Sequence, residues 1–343
     1  MHSHFVGLDV HKQVIAFCAK AADGKIDQEG KIKATRSGLD AWLERMPRVE
    51  TWMAGMETTM FSHWIYHHLK SRGVNVQMGH AAQMKAISAG KKKSDKIDAR
   101  TIADLLRCDM FPSCYVISEE LGALRRQMRF RRKVVQEQTR FKNSTAGLLM
   151  QRGVEYERQR LHGKRYFAEL MKANSWVEEE MRPLLRFNRE QIETLGQMDK
   201  QLIGMLEKHP MLRERVAALQ NIDGVGPVTA LTWALEIGTP TRFTSIKKVQ
   251  SYAGLTSAFW ESAGKQKHGP ISKQRNAHLQ SVIIEAAKLA PMNNETLKAV
   301  YQKHRTAGAD DNLATLEVAR KLVGYLLAAD RAWLAQSGEH AST

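Results

Sequence analysis

The chain has 343 residues, and its 52 Lys and Arg outnumber its 36 Asp and Glu, which gives a formal net charge of +16. A composition of 43% hydrophobic and 26% charged residues is typical of a globular protein and excludes a fibrous or wholly disordered chain. The sequence has no apolar run long enough for a membrane span, and its three cysteines are too few for a disulfide framework. We therefore expect a cytoplasmic protein with a polyanionic partner. Nucleic acid is the first candidate, although a ribosomal or membrane surface would also suit the charge.

Short apolar runs alternate with helical segments in the first third of the chain. Runs at 5–8, 14–19 and 25–33 are joined by tight connections, including the Asp23-Gly24 turn, and predict antiparallel strands. Further strands are predicted at 51–56 and 74–78, after helices that end near residues 43 and 71. Strands that first form a meander and then alternate with helices predict a mixed α/β sheet covered by helices.

The middle of the chain has apolar residues at helical spacing. Leu121, Leu124 and Met128 begin one stripe, and Leu185 and Leu206 lie on a second, so we predict two long helices packed as an antiparallel hairpin. The first helix is strongly basic, which indicates either a solvated face or a surface that binds phosphates. With the global charge excess, we favour phosphate binding by Arg125, Arg126, Arg129 and Arg132.

The His209-Pro210 pair ends the second long helix, and a third, mainly helical region follows. The resulting fold class is α/β followed by α. We predict an N-terminal domain at 1–115, a helical arm at 116–210, a C-terminal domain at 211–335 and a flexible tail at 336–343.

Four acidic residues occupy positions that suit chemistry. Asp9 and Glu57 each end a predicted strand, and Asp95 and Asp98 lie three residues apart at the start of a predicted helix. Four neighbouring carboxylates repel one another unless cations neutralise them, so this placement predicts a site for two Mg²⁺ ions. Taken singly, each acid could instead be a helix cap or a solvated strand end. Nearby, Lys91, Lys92 and Lys93 are expected to bind a nucleic-acid backbone.

The C-terminal region holds a second group of candidates. Gly224 and Gly226 lie between helical segments, where they predict either a phosphate-binding, helix-hairpin-helix-like element or a tight helix connection. Ser262 lies in a polar, glycine-containing loop. The local sequence is compatible with two interpretations of this serine, a turn residue or a nucleophile. The lysines that flank it are expected to bind nucleic acid: Lys265, Lys267 and Lys273.

Six motifs together resemble, in order and spacing, the transposases of insertion sequence family 110, which are related to Piv-type DNA invertases and are called bridge recombinases. They read GLDVHK, GMETT, KSDKIDARTIADLL, IDGVGPVTA, YAGLTSAFWESAGKQ and ISKQRNAHL. The resemblance implies a RuvC-like, RNase H-type N-terminal domain with a coiled coil and a C-terminal transposase domain. It implies a DEDD carboxylate set at Asp9, Glu57, Asp95 and Asp98. It also implies that Ser262 is the catalytic nucleophile. The sequence departs from the family pattern at Ala263, Arg275 and Gln280.

The resemblance also implies a function. The family excises and inserts its own mobile element, guided by a noncoding bridge RNA that pairs with donor and target double-stranded DNA. It would use Mg²⁺ and a phosphoserine intermediate, in a homotetramer formed as a dimer of dimers at the bacterial nucleoid. Three alternatives remain: a RuvC-like endonuclease that needs no serine, a non-enzymatic nucleic-acid-binding protein, and, least favoured, an actin-like ATPase.

Overall fold

The computed structural model describes residues 2–46, 51–87, 94–262, 265–271 and 273–340. The chain divides into two compact units, Met1–Glu119 and Glu120–Thr343.

Unit 1 is built on a five-stranded mixed sheet with the strand order β3-β2-β1-β4-β5. The first three strands of the chain pair antiparallel, whereas β1, β4 and β5 pair parallel. This arrangement confirms the predicted mixed α/β sheet. The strands are β1 His4–Val10, β2 Val14–Ala21, β3 Ile26–Lys33, β4 Trp52–Glu57 and β5 Asn75–Gly79, and the helices are α1 Arg36–Leu43, α2 Ser62–Ser71, α3 Ala81–Ile87 and α4 Asp95–Arg107.

The two faces of this sheet are covered differently. On one face, Val6 and Leu8 of β1 are fully buried in a hydrophobic cluster that includes Leu39 of α1 and Ile65 of α2. Successive strand residues point to opposite faces, so Gly7 belongs to the other face, where α4 packs. The sheet therefore has helices on both sides. The helix α4, on the side of Gly7, carries the predicted acidic pair Asp95 and Asp98.

Unit 2 is mainly helical. Its elements are α5 Glu119–Gln151, α6 Lys164–Ala173, α7 Ser175–Glu207, α8 Pro210–Gln220, α9 Pro227–Ile237, α10 Ile246–Tyr252, β6 Ser257–Ser262, β7 Lys265–Ile271, α11 Ala277–Leu289, α12 Glu295–Thr306 and α13 Asp311–His340.

The long helices α5 and α7 form the antiparallel hairpin expected from the apolar stripes. Two contacts show the direction: Gln138 donates to the Ile192 carbonyl at 2.9 Å, and the Asn188 amide donates to the Ser144 hydroxyl at 3.0 Å. Residue numbers rise along α5 as they fall along α7, which is the signature of an antiparallel pair.

The core of unit 2 surrounds α9, whose Trp233 is fully buried. The buried Asp330 carboxylate accepts two hydrogen bonds from Arg215, both 2.7 Å long, and one from the Trp233 indole at 2.9 Å. Asp330 lies in α13, which continues to His340. Residues 336–340 are therefore helical where a flexible tail was expected, and the Ser337 hydroxyl bonds the Trp333 carbonyl within that last stretch.

None of the helices in the described ranges combines the length and the apolar character that a membrane crossing needs.

Candidate active site

Asp9 and Glu57 lie side by side at the carboxyl edge of the parallel part of the sheet. Strands β1 and β4 pair in register, with Gly7 opposite Gly55 and Leu8 opposite Met56, so the next residue of each strand is the acidic one. Because strand residues alternate between faces, Asp9 shares the face of Gly7, and Glu57 shares the face of Gly55. Both carboxylates therefore belong to the face that α4 covers.

Helix α4 rests directly on Gly7. A Cβ atom at residue 7 would lie 2.0 Å from the Ala99 carbonyl oxygen and 2.6 Å from the Ala103 nitrogen, so only glycine permits this approach. Asp95 precedes Ala99 by about one helical turn, roughly 5.4 Å, and Asp9 follows Gly7 by roughly 6.6 Å of strand. Because the helix from Ala99 back to Asp95 is about as long as the strand from Gly7 to Asp9, the start of α4 lies at the edge of the sheet that carries Asp9.

Three side chains meet there. The Nε2 atom of His11 lies 3.0 Å from Oδ2 of Asp9 and 3.4 Å from Oδ1 of Asp95. One potential metal-ligating atom of each residue lies within 4.8 Å of the other two. Burial raises the pKa of Asp9, the His11 contact opposes this, and the carboxylates of Asp98 and Asp95 raise it further. Asp98 is therefore close enough to affect Asp9 electrostatically.

Asp95 is not the N-cap of α4. The cap is Ser94, whose hydroxyl accepts a hydrogen bond from the Ile97 nitrogen at 3.3 Å. The interpretation of Asp95 as merely a helix cap is therefore wrong, since the capping position precedes the first helical residue. Glu57 lies outside the three-residue group, at the end of the neighbouring strand. The predicted phosphate ligands Lys91, Lys92 and Lys93 lie outside the described residues.

His11 is the residue that sequence reasoning missed. The signal was nevertheless in the sequence, because Gly7, Asp9 and His11 follow the two-residue period of a strand face.

Glu29 of β3 ties the first turns of α4 to the sheet. Arg100 donates to its carboxylate from Nε at 2.8 Å and from Nη2 at 3.0 Å, and Lys96 forms a second ion pair with it. The hydrogen bonds from Arg100 and then from Lys96 lower the pKa of Glu29 to about 2. Lys96 and Arg100 flank Asp98 in sequence, so this contact holds the acid-bearing end of the helix in place.

Ser262 is the last residue of β6 and pairs with Lys265, the first residue of β7. The position was expected in a loop, and it is instead the end of a strand in a two-stranded sheet. The hairpin pairing accounts for the difference, since only two residues separate the strands. The side chains of Ser262, Lys265 and Lys267 lie outside what the structure describes, whereas Lys273 is exposed.

Four of the predicted nucleic-acid ligands in unit 2 line one open cavity of about 430 Å³. These are Arg129 and Arg132 of α5 with Gly224 and Gly226 of the α8–α9 connection. Arg131 and His278 line it as well. Burial and then the charge of Arg129 lower the pKa of His278, which is consistent with a positive environment.

The two glycines of this connection differ in what they permit. Gly224 has φ of +88°, and a Cβ there would lie 2.8 Å from Ala290, so the fold itself requires glycine. Gly226 is the N-cap of α9, and a Cβ there would meet open space. Gly224 therefore fits the alternative of a tight helix connection, while Gly226 leaves room for an approaching phosphate.

Arg129 also has a partner inside the protein. Its Nε and Nη2 atoms donate to the Glu236 carboxylate at 2.6 and 2.7 Å, and Asn276 donates to the same group at 2.8 Å. Burial is the largest single influence on the pKa of Glu236 and would raise it, but the hydrogen bonds and charge of Arg129, with smaller contributions from Asn276 and Arg125, together outweigh burial and lower the pKa. This contact accounts for Arg129 without a phosphate. Arg126 is exposed, and Arg125 is near enough to lower the pKa of Glu236 slightly.

Arg275 and Gln280, two of the residues that depart from the family pattern, both contact Gly254. The Gln280 amide donates to the Gly254 carbonyl at 2.6 Å, and the Arg275 side chain lies where a Cβ of Gly254 would be. Gly254 has φ of +70°, so Arg275 and Gln280 both pack on a backbone turn that glycine stabilises.

Comparison with known proteins agrees with this geometry. A model of the DEDD domain of IS110 enzymes, described as "Transposase", matches residues 6–152, and a model described as "Transposase IS116/IS110/IS902 family" matches residues 216–302. Together they cover about two thirds of the chain.

Individual relatives are distant but extend over most of the chain. The chain is 22% identical to the transposase y4qE of Sinorhizobium fredii, over 95% of this chain and 88% of the relative. It is 24% identical to the transposase for insertion sequence element IS1111A of Coxiella burnetii, over 92% and 86%. It is 25% identical to the transposase for insertion sequence element IS1533 of Leptospira borgpetersenii, over 82% and 84%.

The DEDD family implies dependence on a divalent metal ion, and the acidic edge of unit 1 supplies the oxygen ligands that such ions bind. Two family models in the expected order, relatives along the length of the chain and an acidic edge at the matching motifs lead to one conclusion: the chain belongs to the IS110 family of transposases, enzymes that act on DNA.

Proposed function

We propose that this transposase excises and inserts its element by cutting and rejoining DNA through a phosphoserine intermediate, with Asp9, Glu57, Asp95 and Asp98 as its metal-binding set. The observation that carries the proposal is the edge of unit 1. There, Asp9 and Asp95 both contact His11, Glu57 ends the strand that pairs with the strand of Asp9, and Asp98 lies in the first turn of α4, which supports this assignment. The mixed sheet with helices on both faces is consistent with a RuvC-like, RNase H-type domain.

The carboxylate oxygens at this edge would suit Mg²⁺, which prefers oxygen ligands. A bound divalent cation would neutralise the carboxylates and polarise the scissile phosphate. The protein's own contribution is to hold the acids in position, through Gly7 beneath α4 and through the Glu29 contacts with Arg100 and Lys96.

The proposed nucleophile is Ser262. Its hydroxyl oxygen would attack the phosphorus atom and form an Oγ–P bond, while the bond from phosphorus to one deoxyribose oxygen breaks. The serine proton passes to a base, and the leaving deoxyribose oxygen takes up a proton. Attack of a deoxyribose hydroxyl from the other DNA on the phosphoserine reverses these steps, so strands are rejoined without an external energy source.

The family resemblance supplies the proposed partners. A noncoding bridge RNA would select donor and target DNA by base pairing, and the protein would bind backbones through its excess of positive charge. The cavity with Arg132 and Gly226 is our proposed contact with a nucleic-acid phosphate. The enzyme would then work at the nucleoid, where its substrates lie.

We propose functional regions at 1–115, 116–210 and 211–335, the second of which is the α5–α7 hairpin region. The long hairpin would mediate assembly into a homotetramer, as two DNA duplexes require. In the assembled enzyme, the carboxylates and Ser262 would act on the same phosphodiester.

The test uses the full-length protein, the RNA transcribed beside its gene, donor and target DNA, and Mg²⁺. We expect a covalent protein–DNA adduct, detected by denaturing electrophoresis, that is absent in Ser262→Ala. The matched control is Ser257→Ala in the same strand, which should keep full adduct formation.

The alternatives give different results. A RuvC-like endonuclease would cleave without an adduct and would be indifferent to Ser262→Ala. A protein that only binds nucleic acid would cleave nothing, and its affinity would not respond to Asp9→Asn. Strand exchange in the absence of RNA would contradict the guided mechanism while leaving the chemistry intact.

A further inference from the structure

His11 lies within reach of two members of the acidic set. The strand β1 ends at Val10, and the His11 nitrogen then bonds the Val14 carbonyl at 3.0 Å, which fixes the connection to β2. Extending the two-residue period of β1 places His11 on the face of Gly7 and Asp9. Its side chain is 54% exposed, so it is not there to fill the core.

The spacing of the three ligating atoms suits a single ion. Neighbouring ligands of an octahedral ion with bonds of about 2.1 Å lie about 3.0 Å apart. The His11 Nε2 to Asp9 Oδ2 distance is 3.0 Å, and the Nε2 to Asp95 Oδ1 distance is 3.4 Å, only a few tenths of an ångström longer. Small side-chain movements would therefore let all three atoms bind one ion.

We propose that His11 is a nitrogen ligand of the divalent ion at this edge, beside Asp9 and Asp95. The inference rests on the proposed metal site and adds to it a ligand outside the four carboxylates. Imidazole nitrogen binds transition-metal ions more readily than it binds Mg²⁺, which prefers oxygen. The site thus favours Mn²⁺ over Mg²⁺ more strongly than four carboxylates alone would.

The competing explanation is that His11 only pairs with the two carboxylates while no ion is bound, and leaves them when one binds. Both explanations agree with the present distances, but they differ in the coordination of a bound ion. The test must therefore detect nitrogen at the metal itself rather than activity.

The experiment adds Mn²⁺ alone to the full-length protein and measures ¹⁴N coupling to the ion by pulsed electron paramagnetic resonance. We expect an imidazole coupling in the wild type and its loss in His11→Ser, with Mn²⁺ affinity weakened at least about tenfold. Mg²⁺ affinity should change much less. His11→Asp, which supplies an oxygen ligand, should regain Mn²⁺ affinity without the coupling.

The matched control is His4→Ser. His4 lies in β1 and contacts an aspartate, with Nε2 2.5 Å from Oδ2 of Asp27, but it is at the end of the strand that is remote from His11. This variant should keep the nitrogen coupling and the Mn²⁺ affinity of the wild type.

The outcomes separate this inference from the proposed function. Mn²⁺ that binds the wild type without nitrogen coupling, or coupling that persists in His11→Ser, overturns the role of His11 and leaves the acidic site standing. An unchanged Mn²⁺ affinity in Asp9→Asn overturns the metal site and with it the inference.

Discussion

Gly7 of β1 lies directly against the Ala99 carbonyl of α4, so closely that a Cβ atom on residue 7 would stand 2.0 Å from that oxygen. Its partner in the neighbouring strand, Gly55, differs: a Cβ there would meet the Leu106 side chain at 2.9 Å. A side chain can rotate away, whereas the backbone of a packed helix cannot move without carrying its other residues along.

Gly7→Ala should therefore displace α4 and separate Asp95 from Asp9. We expect the free energy of unfolding to fall by about 1–3 kcal/mol or more, as in overpacked cores, and divalent-metal affinity to fall with it. Chemical unfolding and metal titration measure the two effects. Gly55→Ala is the control and should cost less in both, so equal losses in the two variants would contradict this account of the contact.

Glu29 gives a pH-dependent prediction. Its pKa is lowered to about 2 from an ordinary value of 4.5, because Arg100 and Lys96 donate hydrogen bonds to the carboxylate. A lowered pKa in the folded state adds stability above pH 4.5, and this contribution is lost as the pH falls from about 4.5 towards 2. Glu29→Gln should thus destabilise the protein at pH 7 and differ little from the wild type near pH 2.

Urea unfolding at several pH values measures this difference. Glu44→Gln changes an exposed acid in the same unit and should follow the wild type at every pH. A Glu29→Gln deficit that stayed constant down to pH 2 would show that the ion pairs are not its cause.

The acidic edge could be predicted from sequence because each part of it is local. Strand ends, the i, i+3 spacing of Asp95 and Asp98, and the order of the elements are all visible in short windows. The placement of α4 on Gly7 was not visible, since it depends on which strand the helix covers. The two-residue strand period indicates that His11 shares the face of Asp9, but the contact of His11 with Asp95 depends on a helix that begins more than eighty residues later.

In unit 2, one feature that the sequence patterns did not predict depends on a contact between residues that are far apart in the chain. The basic stripe of α5 favours phosphate binding, with a solvated face as the alternative, and neither interpretation anticipates that Arg129 bonds Glu236, which is 107 residues away in sequence. Charge patterns identify which residues are basic, but an ion pair between distant helices is set by packing. The strand containing Ser262 was likewise hidden, since its short hairpin is rich in glycine and polar residues.

The Arg129 pair predicts a strong asymmetry between two arginine variants. Arg129→Met leaves the Glu236 carboxylate buried, with its side chain 2% exposed and its main partner removed. Because Arg129 itself is 42% exposed and solvent screens part of the pair, we expect a loss at the lower end of the range for broken buried pairs, about 2–3 kcal/mol. Arg126→Met, on the exposed side of the same helix, should change stability by less than about 0.5 kcal/mol.

Thermal unfolding compares these variants, and the single variant Glu236→Gln and the double variant Arg129→Met with Glu236→Gln complete the cycle. The double variant should be more stable than Arg129→Met alone, because it removes the unpaired charge. An additive result would show that the two residues do not interact energetically.

Asp9 links metal binding to stability. Burial raises its pKa, and Asp98 and Asp95 add repulsion, so without metal the charged carboxylate makes the folded state less stable as the pH rises through the raised pKa. Mg²⁺ at 100 times its dissociation constant should then add about 2.7 kcal/mol to the wild type, and a chelator should remove it. Asp9→Asn should be at least as stable as the wild type in chelator and should gain little stability from Mg²⁺.

Scanning calorimetry measures these effects. The control is Asp23→Asn, which changes an exposed turn residue and should respond to Mg²⁺ like the wild type. If Mg²⁺ stabilised Asp9→Asn as much as the wild type, the stabilising ion would bind elsewhere. The reason is that Asn at this position removes both the repulsion of the carboxylate and the negative charge that attracts the ion.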